Sequence, residues 1–452
     1  MVQNLTPSLI KDIKPGSESS NPSFLGAVNG NLLFSTFNPT ILNTQLWKTD
    51  GSEASTVVVL DFGSGSFPPS NTINVDGTLY FLQTSSLGRS LSLYKSDGTE
   101  SGTFPLVSVD ARSPAGISNL TGVGDTVFYT AFNSSDLFQS KLFKIDNNTN
   151  QPVRVKQDIQ SGGANPSDLI AVDNTLFFSA NSNAIQESPN IELWKSDGTD
   201  AGTVLVKDIN PTNSSNPNLL ADVNGTLFFN ADDGTNGREL WKSDGSAEGT
   251  VLIKDINSGE ASSNPNNLRD INGTAFFTAD NGVNGRELWK SDGTESGTSL
   301  VKDIFAGSVS SNPDNLTNVN GTVFFTVNDG SNGTELWKSN GTESGTTLVK
   351  DINPGSNSSN PSNLRNFDGI LYFSANDGTN GTELWKSDGS AEGTVIVGDI
   401  NPGSASSNPG GLTNFNGELY FTADDGVNGR ELWGLTETNK DLILGGSSND
   451  VL

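Results

Sequence analysis

Apolar residues come along this chain in short bursts separated by segments of Asn, Asp, Gly, Ser and Pro. Between 347 and 387 the bursts are Thr347 to Ile352, Asn363 to Phe367, Ile370 to Ala375 and Thr382 to Ser387. Each has the length of a strand, and none sustains the 3.6-residue period of a helix. The last three are joined by Asp368-Gly369 and by Asn376-Asp377-Gly378-Thr379-Asn380-Gly381. Asp-Gly between apolar runs is a strong hairpin signal, because a type I′ turn needs positive φ at both central residues. The pattern predicts a four-stranded antiparallel meander.

That meander repeats. Glu-Leu-Trp-Lys-Ser-Asp-Gly stands at 192–198, 239–245, 287–293 and 383–389, and at 335–341 with Asn340 in place of the Asp. The aromatic of the phrase falls at Trp47, Tyr94, Phe143, Trp194, Trp241, Trp289, Trp337, Trp385 and Trp433, in steps of 47 to 51 residues. An Asp closing an apolar run marks the same nine units at Asp12, Asp61, Asp110, Asp158, Asp208, Asp255, Asp303, Asp351 and Asp399. Four short strands in roughly 48 residues, repeated without linkers, is the signature of β-propeller blades rather than of a helical solenoid. The end units keep the ordinary motif, whereas an open array needs polar caps. The expected fold is therefore all-β: a propeller of nine four-stranded antiparallel blades over residues 5–436, followed by a tail at 437–452. A single ring is the first reading. Two fused rings are the alternative, because common propellers have four to eight blades and the units in 5–145 are degenerate.

Composition narrows the chemistry. In 452 residues there is no Cys, no His and one Met, Met1, with 25 Lys+Arg against 52 Asp+Glu and a net charge of −27. Triads built on His or Cys, His/Cys zinc sites, His-ligated haem and thiolate redox chemistry are excluded. No basic cluster exists to meet a phosphate backbone, so nucleic acid is not an expected partner. No apolar stretch is long enough for a membrane-spanning helix. Residues 1–21 lack the pattern of a secretory signal. Absence of Cys suits a reducing compartment, and absence of both Cys and internal Met suits an oxidising exterior.

In a meander, alternate connections emerge at the same end. The two long ones, Asn-Pro-Gly-Ser-x-Ser-Ser-Asn-Pro and Asp-Asp-Gly-x-Asn-Gly, therefore share one face. Long polar loops on a rigid scaffold favour that face for binding. In the second connection, Asp232, Asp233 and Asn236, then Asp280 and Asn284, then Asp424, Asp425 and Asn428 bring closely spaced oxygens to a Gly turn, as Ca²⁺ requires. The same residues also make turns unaided, and the loop is shorter than a twelve-residue calcium loop, so a cation would need a neighbouring loop. The recurring Asp fits either a turn cap or a cation ring around the channel, and the recurring Trp either inter-blade packing or a sugar-stacking platform. Paired carboxylates of the glycosidase type are the surviving catalytic chemistry. Yet nearly every carboxylate recurs by repeat, and the unit-specific Arg112, Asp136, Lys156, Glu187 and Glu260 share no motif.

The phrase Glu-Leu-Trp-Lys-Ser-Asp-Gly-Thr at 192–199 and 287–294 resembles the ELWxxDGT repeat family, found largely in secreted or surface-associated bacterial proteins. The resemblance covers nearly the whole chain and implies a propeller-like repeat in an extracellular setting, without a catalytic motif to transfer. Unit one departs from it with Gln45-Leu46-Trp47-Lys48-Thr49-Asp50-Gly51-Ser52, and units two and three lack the Trp. The terminal Gly445-Gly446-Ser447-Ser448-Asn449-Asp450-Val451-Leu452 is similar to the calcium-binding nonapeptide of RTX β-rolls, with Ser448 where that family has Gly. This second resemblance implies a calcium ligand at Asp450, part of a module needing further turns, and export through a C-terminal signal.

Together these readings predict a secreted or cell-surface, non-enzymatic interaction or adhesion module. It is expected to act as a monomer on an extracellular protein or polysaccharide, with Ca²⁺ as the candidate ion. A carbohydrate-active propeller using paired carboxylates is the alternative, and a passive spacer a third reading.

Overall fold

The computed structural model describes residues 5–85, 87–110, 116–132, 140–156, 165–182 and 189–437. It is a ring of nine four-stranded antiparallel sheets, and there is no helix among the described residues. In chain order the blades occupy 23–64, 70–110, 116–154, 167–207, 218–254, 266–302, 314–350 and 362–398, with the ninth formed by 410–437 and the N-terminal strand Leu5–Lys11. In blades one to eight the strands run from the channel outward in chain order, and in blade nine the N-terminal strand is outermost. The first strands of all neighbouring blades touch, including blade nine against blade one, so a single ring closes.

The blade boundary is shifted by one strand from the unit read in the sequence. Thr347–Lys350, which opens that unit, pairs with Thr334–Ser339 and is the outer strand of blade seven. The Asn-Pro-Gly-Ser connection after it crosses to blade eight instead of joining two strands of one blade. The phase shift explains how the ring closes. Leu5–Lys11 is an outer strand whose own blade lies at the far end of the chain, and it pairs with Arg430–Glu437. Its register, Leu9 opposite Trp433 and Lys11 opposite Leu432 across a bulge, reproduces Leu252 opposite Trp241 and Lys254 opposite Leu240 in blade five.

The core lies between blades. Phe228, Leu240 and Ile253 of blade five pack on Phe277, Ala279 and Trp289 of blade six, and the same layer recurs around the ring. At the closing seam Ile10, Phe415, Tyr420 and Leu432 meet Leu32 and Phe34 of blade one. The six Trp side chains from Trp194 to Trp433 are buried in these layers, so the recurring aromatic is a packing residue. Outer-strand lysines tie the rim: the ammonium groups of Lys207, Lys254, Lys302 and Lys350 each donate to a Thr carbonyl of the next blade at 2.7–2.9 Å. Across the seam, Lys11 does the same to the Thr56 carbonyl at 2.8 Å.

Candidate functional site

The long connections meet on one face, as the meander requires. In blade five, Asp232 Oδ1 accepts the Gly234 N–H at 2.7 Å, and Asp233 Oδ1 accepts those of Thr235 and Asn236 at 2.9 and 2.8 Å. Asn236 Nδ2 donates to Asp233 Oδ2 at 2.7 Å. Blade nine repeats this pattern: Asp424 accepts from Gly426, and Asp425 accepts from Val427, from the Asn428 backbone and from the Asn428 amide. In blade six Asp280 caps Gly282, but Asn281 replaces the second Asp. There the Asn284 amide donates instead to Asp303 Oδ2 in the blade-connecting loop, at 2.8 Å. Burial pushes the carboxyls of Asp233 and Asp425 up, but the N–H donors outweigh it and hold both below the usual carboxylate range.

The structure thus places eight of the nine candidate ligands on the long-loop face, loop by loop. It does not gather them into one cluster, and among the described residues no three carboxylates converge on a point. Asp450 lies outside the described residues. In six units the recurring Asp caps the turn that follows it, as where Gly259 and Gly355 donate to Asp255 and Asp351 at 3.0 Å. Its other oxygen is the unusual feature: Oδ1 of Asp12, Asp255, Asp303 and Asp351 is buried without a hydrogen-bond partner.

Sequence reasoning missed the group that organises this face. The Glu of each Glu-Leu-Trp phrase from blade four to blade nine has no exposed surface. In blade five, Glu239 accepts the Ser263 N–H at 2.8 Å, the Ser263 hydroxyl at 2.5 Å and the Ile256 N–H at 3.0 Å. Ala231 lies directly opposite on the neighbouring strand, which leaves room for the carboxylate. Ser262, the preceding residue, accepts the Arg238 N–H at 2.9 Å. The Ser-Ser of each long connection therefore clips it to the third strand. Glu192, Glu287, Glu335, Glu383 and Glu431 hold Ser215, Ser311, Ser359, Ser407 and Ser20 in the same way. Burial raises all six carboxyls by more than these donors lower them, Glu431 to about 6. These carboxylates are buried and fully used, so none reaches a glycosidic bond as placed. The clip had a signal in the sequence: a charged residue beside Leu-Trp, recurring wherever Ser-Ser-Asn-Pro follows.

At the loop tips Val283 and Val427 are 67% and 68% exposed, and Val309 of the adjoining connection 51%. They are apolar residues held out on a rigid polar face.

No protein-family model matches the chain, and no curated protein matches it. Among solved structures, the chain is similar to a puromycin hydrolase S511A mutant complexed with PGG, at 13% identity and a TM-score of 0.43, over 93% of this chain and 61% of that one. It is also similar to a prolyl endopeptidase, at 11% identity and a TM-score of 0.44, over 85% and 54%. The β-propeller domain of the Trilobed protease from Pyrococcus furiosus is similar at 10% identity and a TM-score of 0.39, over 71% and 94%. The chain spans about three fifths and about half the length of the first two. At this distance the likeness says nothing about activity.

Proposed function

We propose that this propeller is a non-enzymatic interaction module of a secreted or cell-surface protein, presenting its long-loop face to an extracellular protein or polysaccharide. The observation that carries the reading is the repetition of that face: the same clipped connection and the same capped turn recur from blade five to blade nine. Equivalent rigid patches around a ring suit a repetitive partner, because each contact after the first is made at high effective concentration. The resemblance to the ELWxxDGT repeats supports the extracellular setting. The test is retention on immobilised bacterial polysaccharides and extracellular-matrix proteins by the native chain and by V283D/V427D. These tips are solvent-exposed, so the variant should keep its melting temperature while its retention falls at least tenfold, two weakened contacts compounding. Equal retention by both chains overturns the assignment of the face, and turnover of a retained polysaccharide overturns the non-enzymatic role.

A calcium-stabilised form of this reading is favoured by the orphaned oxygens of Asp12, Asp255, Asp303 and Asp351. Asp12, Asp303 and Asp351 each also press a like charge on the clip carboxylate beside them, which a divalent cation relieves. In blade six the contact between Asn284 and Asp303 brings the blade-connecting loop against the short Asp-Asn-Gly-Val-Asn-Gly turn, where a cation would draw on both. Ligand that binds only the folded state at 100 times its Kd adds about 2.7 kcal/mol per site. Melting in Ca²⁺ should therefore lie several degrees above melting in EGTA at fixed ionic strength, with Mg²⁺ unable to substitute. No shift assigns the loops to turn formation alone.

A further inference from the structure

The inner rim departs from its repeat where blade nine meets blade one. Each inner strand carries a bulge, and in six blades the residue there is held in the left-handed region: Asn71, Asn119, Asp168, Asn267, Asn315 and Asn363 have φ between 49° and 56°. Blade nine has Gly410-Gly411 instead, with Gly411 at φ 66°. Blade one departs differently. Its bulge falls between Phe24 and Gly26, one residue from the usual place, so that Phe24 lies opposite Phe34. Shifting a bulge re-aims the side chains around it, and an aromatic ring arrives where five of the other blades carry an Asn.

The two departures meet. A Cβ on Gly411 would stand 3.2 Å from the Phe24 ring, and one on Gly410 would stand 2.9 Å from Arg430 Nη2. The paired glycines therefore admit the ring and the guanidinium and leave a hollow of about 430 Å³ at the channel mouth on the long-loop face. Arg430 is fixed at its edge by donating from Nη1 to the Asn408 carbonyl at 2.7 Å and from Nη2 to Thr422 Oγ1 at 2.6 Å. Arg365 of blade eight lines the same hollow; it is exposed, and its side chain makes no hydrogen bond or ion pair among the described residues. No carboxylate lines the hollow, although the chain carries 52 acidic residues against 25 basic ones.

We propose that this hollow is a binding site for a small organic anion that joins a carboxylate to a ring with an apolar face, of which a uronic acid is the representative. Arg365 would take the carboxylate, a charge-assisted and bidentate match. The partly exposed face of Phe24, backed by Phe34 at 6.4 Å between ring centroids, would take the C–H face of the sugar, and the Asn363 amide and Thr413 hydroxyl its hydroxyls. The volume suits one or two sugar residues, within the usual range of ligand pockets. The site at the seam differs in kind from the repeated loop tips and does not rest on their role.

The test is titration of the full chain with D-galacturonate, followed by ligand-observed NMR and calorimetry. Arg365→Thr and Gly411→Asn each install the residue that other blades carry at the same position, so both variants should fold and melt as the native chain does. Galacturonate is expected to bind the native chain at least tenfold more tightly than galactose or acetate. Arg365→Thr should weaken it at least tenfold, and Gly411→Asn should abolish it by displacing Phe24. Tighter binding of an oligogalacturonide than of the monomer identifies a polysaccharide as the source of the group, and equal binding identifies a free acid; both outcomes support the site. Absence of binding at 10 mM, acetate binding as tightly as galacturonate, or undiminished binding by Arg365→Thr each overturns it, and none of these bears on the loop-tip experiment.

Discussion

A chain lacking residues 1–11 is expected to fold eight blades and leave the ninth unfinished. Arg430–Glu437 loses its only outer neighbour, Ile10 leaves the seam layer with Leu32 and Phe34, and the link from Lys11 to the Thr56 carbonyl disappears. Withdrawing the apolar surface of buried Ile10 costs about 2 kcal/mol and that of half-buried Leu9 about 1 kcal/mol. Six ladder pairs go with them, so a loss of roughly 5 kcal/mol follows for this strand. Hydrogen exchange reads it locally: amides in 430–435 should exchange at least a hundredfold faster, while those of blades five to seven change little. The bared edge is a template for another chain, so self-association should appear, and excess peptide of sequence LTPSLIK should restore protection by strand addition. Unchanged protection in 430–435 would refute closure by this strand.

That closure also marks where the sequence stopped being legible. Blade number, strand number and the shared face of the two long connections follow from turn residues and from the spacing of the Trp-position aromatic and the Asp, because each is a local signal that recurs around the ring. The assignment of a strand to its blade is not local. Thr347–Lys350 follows one tight connection and precedes one long one, and only pairing with Thr334–Ser339 decides which sheet owns it. The candidate ligands were legible as a loop chemistry, while their hydrogen-bond partners were not. The Asp carboxylates that read as oxygen donors for a cation are in large part acceptors for N–H groups two and three residues on. The Glu clip was hidden because a buried carboxylate contradicts binary patterning, and its warrant lies in a loop some 24 residues away. Blade one shows the dependence from the other side, with Gln45 in place of the Glu and the short connection 65–69 in place of the long one. The seam pocket depends on two glycines and a shifted bulge in strands almost 400 residues apart, and no periodic signal reports an exception to the period.

Stability is expected to peak in mild acid and to fall as the pH rises through 6. The six clip carboxyls have folded pKa values above their ordinary ones, so between the two the native state holds more protons than the unfolded chain. The stability they contribute is complete below the unfolded pKa of about 4.3 and is lost as pH climbs through the folded values. For Glu431, raised from 4.5 to about 6, the loss amounts to about 2 kcal/mol, and the other five act in the same direction. The capped aspartates work oppositely. Asp233, Asp329, Asp377 and Asp425 lie below their ordinary values, so what they contribute is present above about pH 4 and lost below it. The two windows barely overlap, which puts the maximum near pH 4 to 4.5. Self-repulsion of a chain carrying −27 at neutral pH acts in the same sense, but 0.5 M NaCl screens exposed charge and leaves the burial of the clips. Urea midpoints at pH 4.5, 5.5, 6.5 and 7.5 in that salt should therefore still decline. Glu431→Gln should remove its share of the slope, while leaving a donor of Ser20 or Ile13 unpaired and lowering stability by about 1–3 kcal/mol at pH 4.5. A midpoint that rises from pH 4.5 to 6.5, or a slope unaltered in Glu431→Gln, would show that the clips are solvated and that the connections are held by something other than these carboxylates.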